Sequence, residues 1–426
     1  MPILTNPSKI IKRKIHTIKL ERENYTENFK ELKEKEKEKF KELKAKKAEE
    51  IGKLIEAKQL GTEPYQRLTS LMQIGKKDIW FKPDTIQQKE IIIEGFKKLY
   101  KHHTIIKCNK ETLTRIFLKQ LEILANIPEA SAIKCPKKPQ SNARDINGIN
   151  QGELWEHIDS ENLQTSASKL AMIIKNLSLS QTGEIIIHRT SKIILKKKKD
   201  FVESWKHVRP ITIMPAIYMV IDKLTNAYLK QKLQSLIYNH QHGARSGMST
   251  ATAKMNLLYT LKRENFKYSL LLDLEKAFDK VDRSKLHHSI NATIQQETDK
   301  TLLNLITDSY NYINTNLLDT IIQPNQGIPQ GSVYGPILFL IYINELFTYV
   351  TTKHPNIAIQ AFVDDIIISA KNIKDLEQAL ETTHKFIINL GMSLNIKKCK
   401  FLSDKEDELI TDPINNTKLT STLTVK

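Results

Sequence analysis

The sequence predicts an α+β fold in which helices lie on one face of an antiparallel sheet, preceded by a mainly helical N-terminal region. Two observations predict the sheet. Apolar runs of strand length occupy residues 268–274 and 357–370, and two adjacent aspartates interrupt the second run as in a hairpin. Segments of helical spacing, such as 283–313 and 373–387, alternate with these runs, which is typical of α+β domains.

The first 150 residues are predicted to be mainly helical and basic. Residues from about 21 to 60 are mostly strong helix formers, and their Glu and Lys residues can pair four positions apart. Apolar residues are too sparse there for a coiled-coil seam, so we expect a solvated helix. A second helical stretch runs from residue 80 to about 126, and residues 128–152, rich in Pro, Asn, Ser and Gly, predict a linker or long loop.

Helices and strands are mixed from residue 154 onward. Residues 184–200 predict two short strands that end in a basic hairpin, and residues 215–237 and 249–264 have helical spacing. A chain of 426 residues is long enough to hold two or three such domains.

The composition indicates a nucleic-acid partner. The net charge is +18, and an excess of Lys and Arg neutralises phosphates and releases counterions. A merely Lys-rich protein is the alternative, because Ile, Asn and Lys are abundant throughout. The three cysteines form no CxxC pair, which argues against a disulfide framework or a zinc knuckle. Because no membrane-length apolar run and no secretory signal are found, we expect an intracellular protein, in the nucleus and cytoplasm.

Three carboxylates carry the chemistry that the sequence predicts. Asp273 ends the apolar run LLLD, and Asp364 and Asp365 interrupt the run AFVDDIII. Two adjacent central strands would place them side by side, and a buried unpaired carboxylate is costly unless a cation offsets its charge. Oxygen ligands select a hard ion such as Mg²⁺. Taken alone, these residues fit a second interpretation equally well, in which Asp273 ends a strand, Asp364 and Asp365 form a turn, and no metal is bound.

The segment between the two acidic elements removes this ambiguity. Residues 326–336, QGIPQGSVYGP, precede an apolar helical run, and this density of Gly and Pro predicts a tight loop that a nucleotide or a nucleic-acid strand can approach closely. The order of aspartate strand, QGIPQGS loop and FVDD hairpin resembles the palm of a reverse transcriptase, of the type carried by non-LTR (LINE-type) retrotransposons.

Further blocks resemble the same family. They are residues 209–212 (RPIT), 241–250 (QHGARSGMST), 391–399 (GMSLNIKKC) and, more loosely, 96–100 and 142–149. Ala244 stands where the family usually has an aromatic residue, and Tyr334 stands where it usually has Leu.

The resemblance implies a right-hand polymerase. We expect fingers at residues 151–265 and a palm with a ferredoxin-like (RRM-like) sheet at 266–402, followed by a tail at 403–426. Neither a thumb nor an endonuclease signature is recognised. We therefore expect a truncated copy of such an element, a fragment of a larger polyprotein or a shortened gene model.

The resemblance also implies the activity of an RNA-directed DNA polymerase, which is a nucleotidyltransferase. Two Mg²⁺ ions, for which Mn²⁺ is a possible substitute, would assist attack of a primer 3′-hydroxyl on a dNTP. The expected partners are an RNA template, a DNA primer or target and dNTPs, and the oligomeric state is left open. One alternative is an RNA-binding remnant of such an element. Another is an intron-encoded maturase, which typically has YADD and a PQGG-type loop instead of FVDD and PQGS.

The resemblance assigns roles to residues around the acids. Asp273, Asp364 and Asp365 would be the catalytic metal ligands, and the backbone carbonyl of Leu274 would complete one coordination shell. Phe278 would exclude a ribose 2′-hydroxyl and so favour deoxynucleotides. The alternative for Phe278 is a core residue at the start of a helix.

Other residues are expected to contact phosphates or bases. Arg209, together with lysines 196–199, would bind the triphosphate. Gln330 and Gly331 would contact the nucleotide or the template. Lys398 would donate a proton to the leaving pyrophosphate, with a surface lysine as the alternative.

Overall fold

The computed structural model describes residues 80–101, 110–139, 144–178, 190–198, 202–403, 409–412, 414 and 417–420. The chain divides into two compact units, residues 1–81 and 82–426. In the first unit the described residues form a short strand, β1 (Trp80–Phe81). The charged helix expected at about residues 21–60 lies outside the described residues.

The second unit mixes helices and strands, which confirms the predicted class. Its described helices are α1 (Ile86–Leu99), α2 (Lys110–Asn126), α3 (Gln151–Trp155), α4 (Leu163–Ser178), α5 (Ala216–Gln234), α6 (Thr250–Glu264), α7 (Arg283–Thr293), α8 (Glu297–Ser309), α9 (Gly335–Lys353) and α10 (Ile373–Asn389). Its described strands are β2 (Thr190–Lys197), β3 (Val208–Ile213), β4 (Tyr268–Asp273), β5 (Asn314–Leu317), β6 (Thr320–Ile322), β7 (Ile357–Phe362), β8 (Asp365–Ala370), β9 (Lys400–Leu402), β10 (Leu409–Asp412) and β11 (Thr417–Thr420). Short 3₁₀ helices include Trp205–His207, Phe278–Lys280 and Ile396–Lys398.

One antiparallel sheet has the strand order β7-β8-β4-β9. The hairpin β7–β8 is the predicted FVDD hairpin, and β8 pairs with β4 so that Asp365 lies opposite Asp273. Helices α9 and α10 pack together, and α10 contacts β4, β7 and β8. The apolar residues Leu270, Ile366 and Ile368 are buried in the resulting core. The sheet therefore has the helix-covered face that the sequence predicted.

A second sheet contains β3, β2, β5 and β6. Strand β2 pairs antiparallel with β3 and parallel with β5, which forms a hairpin with β6. The basic hairpin expected after residue 194 is the β2–β3 connection, whereas residues 179–189, which include part of the first predicted strand, lie outside the described residues. The β5–β6 hairpin was not predicted, because its residues 314–322 have neither a clear alternation nor a long apolar run.

Local sequence signals explain where several helices begin and end. The side chains of Ser249, Asp282 and Asn372 accept hydrogen bonds from backbone N–H groups in the first turns of α6, α7 and α10. Asn265 ends α6 in the left-handed conformation that Asn tolerates. Helix α9 is apolar around most of its circumference because it lies in the core. No helix among the described residues is long and apolar enough to cross a bilayer.

Two buried carboxylates connect distant segments. Asp145, in the irregular stretch after α2, accepts from the backbone N–H of Ala216 at the start of α5 (3.1 Å). Asp412 of β10 lies 3.1 Å from Nδ1 of His384 on α10, and both side chains are buried. These contacts hold the 144–150 loop and the β10–β11 hairpin against the core.

A third buried carboxylate, Asp222 of α5, lies among polar side chains beneath the loop that precedes α9. Burial raises the pKa of Asp222 to about 8, against the effect of a hydrogen bond with Ser332. Desolvation raises the pKa values of the buried hydroxyls of Tyr310 and Tyr334, and the carboxylate form of Asp222 raises them further. Asp222 is therefore protonated over most of the physiological pH range.

We predict that Asp222→Asn flattens the pH dependence of stability. Between about 3.9, the usual pKa of Asp, and the folded value of about 8, the native chain retains a proton that the unfolded chain has lost. The free energy of unfolding therefore falls as pH rises through this window, by at most about 1.4 kcal/mol per pH unit. Urea unfolding at several pH values from about 5 to 8 would measure the slope. Equal slopes for the unmodified chain and the variant would contradict the prediction, and Asp319→Asn, at an exposed position, is the control.

Candidate active site

The three predicted acids meet at one end of the β7-β8-β4-β9 sheet. Asp273 is the last residue of β4 and Asp365 the first of β8, and the register places them directly opposite each other. Asp364 lies in the two-residue turn between β7 and β8. Asp365 is exposed and the other two are half-buried, so the acids are less buried than their apolar neighbours in sequence suggest.

The turn that carries Asp364 is held by Gln241, whose role was not predicted. Val363 in this turn has a φ of 59°, which is strained for a β-branched residue. The side-chain oxygen of Gln241 accepts from the backbone N–H groups of Val363 (2.8 Å) and Gly243 (3.0 Å), and its amide donates to the carbonyl of Val363 (3.1 Å). A Cβ at Gly243 would overlap Val363. The sequence showed the motif that contains Gln241, but it did not show that Gln241 contacts the turn at Val363.

The three carboxylates repel one another. Desolvation is the main cause of the raised pKa of Asp364, and the charges of Asp365 and Asp273 add to it, whereas Arg209 opposes it. The pKa of Asp365 is also raised, first by desolvation and then by Asp273, whereas Lys398 opposes the shift. An arrangement in which neighbouring carboxylates destabilise each other's charge is suited to holding a cation.

The backbone beside Asp273 is fixed by the segment that follows α10. The N–H of Asn395 donates to the carbonyl of Asp273 (2.8 Å), and the N–H of Glu275 donates to the carbonyl of Ser393 (2.9 Å). Because hydrogen-bonding directions alternate along a strand, the carbonyl of Leu274 between them is directed to the other side, toward the start of β8.

Lys398 also belongs to the acidic end of the sheet. It ends a 3₁₀ helix, and its Nζ lies 3.4 Å from Oδ2 of Asp273. Its side chain is 66% exposed, so the pair is weakly held and the ammonium can change partner.

The QGIPQGS loop is packed through its backbone. Gly327 has a φ of 86° and lies against the backbone of Asp279, and Gly331 has a φ of 146° and lies against the carbonyl of Thr212, which a Cβ would overlap. The N–H of Thr212 donates to the carbonyl of Gln330 (2.7 Å). The amide of Gln330 donates to both carboxylate oxygens of Asp279, at 3.0 Å each. The side chain of Gln330 therefore supports the loop, and the backbone at Gly331 meets β3.

A buried arginine holds the base of the same loop. Arg283 donates to the carbonyls of Gly327 (3.0 Å), Pro324 (2.9 Å) and Gln326 (3.3 Å). Its other contact is the side-chain oxygen of Asn311, at 3.0 Å. The planar guanidinium group thus satisfies backbone carbonyls that have no partner within such a tight loop. Arg283 was not predicted as a functional residue, because its carbonyl partners lie 41 to 44 residues away along the chain.

Phe278 lies beside this loop, and its carbonyl accepts from the backbone N–H of Ile328 (2.9 Å). It is half-buried and stacks on Phe339 of α9, with ring centroids 4.9 Å apart. It starts a 3₁₀ helix, as the core alternative expected, but its ring is not fully covered.

The basic residues of the second sheet approach the acids from the opposite side. Arg209 on β3 is exposed and lies opposite Lys196 on β2. Its charge opposes the rise in the pKa of Asp364. In the run 196–199, burial lowers the pKa of Lys198, and the charges of Arg209 and Lys398 lower it further. Lys199 lies outside the described residues. Lys198 therefore lies close enough to Arg209 and Lys398 to form one group of cations with them.

A cavity of about 720 Å³ opens beside the acids, between α6 and the sheet. Asp273 and Asp365 lie on its wall. Its lysines are Lys254, Lys397, Lys398 and Lys400. The described residues contain no cluster of three or more Asp, Glu, His or Cys side chains arranged around a single ion position.

Comparisons with known proteins agree with this geometry. The sequence matches the model of the family reverse transcriptase (RNA-dependent DNA polymerase) over residues 195–418, more than half of the chain. The Pol polyprotein from type-1 retrotransposable element R2 of Popillia japonica is 30% identical over 142 residues, which are 31% of this chain and 23% of that protein. The RNA-directed DNA polymerase from mobile element jockey of Drosophila melanogaster is 22% identical over 231 residues, 50% of this chain and 24% of that protein.

A third relative is named as an intron protein. The putative COX1/OXI3 intron 2 protein of Saccharomyces cerevisiae is 30% identical over 141 residues, 32% of this chain and 16% of that protein. The chain spans at most 24% of the length of any of these three relatives. The family match nevertheless covers the aspartate strand, the QGIPQGS loop and the FVDD hairpin, and the two sheets have the fingers–palm fold. The chain belongs to the reverse transcriptase (RNA-dependent DNA polymerase) family, with a domain of the kind found in non-LTR retrotransposons.

Proposed function

We propose that this chain is an RNA-directed DNA polymerase that joins a dNTP to a primer 3′-hydroxyl on an RNA template. The observation that carries the proposal is the meeting of Asp273, Asp364 and Asp365 at one end of the palm sheet, opposite the cations of the other sheet. In this proposal, fingers correspond to residues 151–265 and the palm to 266–402.

The carboxylates fit a divalent ion. Asp273 and Asp364 would be the principal ligands, with Asp365 and the carbonyl of Leu274 beside them. Mg²⁺ takes one or two carboxylates and completes its shell with phosphates and waters, so two acids are enough to hold it. Two such ions, or Mn²⁺ in their place, would lower the pKa of the primer hydroxyl and offset charge on the leaving pyrophosphate.

The remaining residues position the substrates. Arg209 and Lys198 would hold the triphosphate, Arg209 through a planar fork and Lys198 as a point charge. Lys398 would leave Asp273 and place its ammonium proton on the pyrophosphate oxygen that the reaction frees. Phe278 would occupy the space beneath the sugar. The lysine-lined cavity beside Asp365 would bind backbone phosphates of the primer–template.

Primer extension by Asp364→Asn tests the proposed reaction. We predict that the variant loses Mg²⁺-dependent extension of oligo(dT) on poly(rA) by at least about a hundredfold, because charge stabilisation at the reacting atoms is lost. RNA affinity should change less than about twofold, because lysines and arginines dominate it.

Asp319→Asn is the matched control, since it removes the same charge from an exposed side chain. Equal extension by the unmodified chain and Asp364→Asn would refute the assignment of Asp364. If the unmodified chain binds RNA with a steep salt dependence but does not extend the primer, RNA binding without synthesis becomes the better account.

Phe278→Val is predicted to admit ribonucleotides. The smaller side chain opens the space that a ribose 2′-hydroxyl needs, so the ratio of kcat/KM for dNTP to that for rNTP should fall by at least about tenfold, chiefly through better use of rNTP. Steady-state extension with each nucleotide measures the ratio.

The control for this test is Phe386→Val, which removes a partly buried ring on α10 away from the acids. A Phe278→Val variant that is less stable but has an unchanged ratio would show that Phe278 serves only the core.

A further inference from the structure

Lys276 is a buried cation that the proposed mechanism has not used. It lies three residues after Asp273 and two before Phe278, at a φ of 54°. On either side of it along the chain, Glu275 and Lys280 pair with each other (2.7 Å), and Lys280 also donates to Ser393 (2.7 Å). Lys276 is excluded from this network and extends instead toward the fingers.

The ammonium of Lys276 lies against aromatic rings. Its Nζ is 4.8 Å from the ring centroid of Trp205 and 5.9 Å from that of Phe96. Trp205 is fixed in this position because its indole packs directly on Gly95 of α1, where a Cβ would overlap it, and contacts the ring of Phe96 edge-on at 5.8 Å. Cation–π contacts of this kind offset part of the desolvation of an ammonium group, but they supply no acceptor for its protons.

No hydrogen-bond acceptor compensates the charge. The Nζ of Lys276 is buried and has no hydrogen-bond partner among the described residues. The buried acid nearby, Asp279, is already engaged by Gln330 and by the hydroxyl of Tyr100 (3.3 Å). The cation next to Lys276 is Lys198: after desolvation, its charge is the largest cause of the lowered pKa of Lys276, whereas Asp279 acts in the opposite direction on both lysines.

A desolvated ammonium group that has a second cation beside it and no hydrogen-bond acceptor among the described residues destabilises the folded chain. Such an arrangement costs stability through both desolvation and repulsion, and proteins tolerate it mainly at functional sites. The exposed guanidinium of Arg209 is near enough to Lys198 to lower its pKa as well. Three cations therefore converge from β2, β3 and the loop after β4, close to the acids.

We propose that Lys276, together with Lys198, binds the polyphosphate of the incoming nucleotide. The site deepens, and rests on, the proposed function. A polyphosphate matches it because it carries several charges within one short chain and offers acceptors for all three cations. The location also fits, because Lys276 lies between Phe278, which would contact the sugar, and Asp273, which would face the reacting phosphate. Lys276 is in this account a substrate-positioning residue.

The test uses inorganic tripolyphosphate, so it needs no catalysis and no metal. Calorimetric titration of the full chain in EDTA gives the affinity, and the fluorescence of Trp205 reports occupancy at the site, with Trp205→Phe identifying that signal. We expect Lys276→Gln to weaken binding by about tenfold, as for the loss of one hydrogen bond to a charged group. Lys276→Arg should restore most of the affinity.

Lys280→Gln is the matched control, because it removes the same charge from the same loop but from a side chain held by Glu275 and Ser393. It should weaken tripolyphosphate binding by less than about twofold, the effect of a screened charge. Equal losses from the two variants would mean that only net charge matters and would overturn the proposal.

Stability gives a second and independent readout. Lys276→Met removes a desolvated, unpaired charge, so its urea midpoint should be equal to or higher than that of the unmodified chain. A lower midpoint with unchanged tripolyphosphate binding would show that Lys276 only packs against Trp205, and would overturn the proposal.

Two further ligands separate possible sources of the phosphate. Pyrophosphate should lose affinity in Lys276→Gln as tripolyphosphate does, whereas single-stranded RNA should bind the variant nearly as well as the unmodified chain. If RNA binding falls as much as tripolyphosphate binding, the site receives backbone phosphates and the proposal is wrong. Absence of primer extension by the unmodified chain would refute the proposed function, but it would leave the tripolyphosphate result standing.

Discussion

The pairing of β4 with β8 is the constraint on which the rest of the site depends. Its register brings Asp273 opposite Asp365, although their charges repel. The pairing persists because the apolar neighbours Leu272 and Ile366, next to Asp273 and Asp365 in the two strands, are buried. A slip of one residue would turn this entire set toward solvent, so the hydrophobic pattern fixes the register more strongly than the acids oppose it. The sheet thus concentrates negative charge where isolated strands could not.

The surrounding segments hold this arrangement mainly through backbone contacts. Gln241 holds the strained turn of Asp364, and Arg283 holds the base of the loop that ends at Gly331. In both cases one side chain satisfies several main-chain groups, which makes a sharply bent backbone stable without a regular hydrogen-bond ladder. The loop can therefore bring its main chain against β3, which no larger residue at Gly331 would permit. The second sheet and the loop before α9 are joined at this contact.

The two sheets present opposite charges to the space between them. Acids lie at the end of the β4–β8 pair, and Arg209, Lys198 and Lys276 lie on the side of the second sheet or extend toward it. A nucleotide bound with divalent ions has both signs of charge along its length, so it would match both walls. The chain also retains groups that are unfavourable for stability, such as the buried ammonium of Lys276. Such groups are characteristic of sites at which stability is exchanged for binding.

The sequence by itself determined the acidic constellation, the α+β class and the family. These follow from local patterns, because each can be recognised within about ten residues: an apolar run that ends in Asp, a loop rich in Gly and Pro, and a hairpin with two aspartates. It did not determine which lysine of the run 196–199 approaches the acids, nor the roles of Gln241, Arg283 and Lys276. Each of these depends on partners far away in the chain: Gln241 on a turn 122 residues later, and Lys276 on Trp205 and Phe96. A side chain's partner is decided by packing between elements, and packing is a property of the tertiary structure that no local pattern encodes.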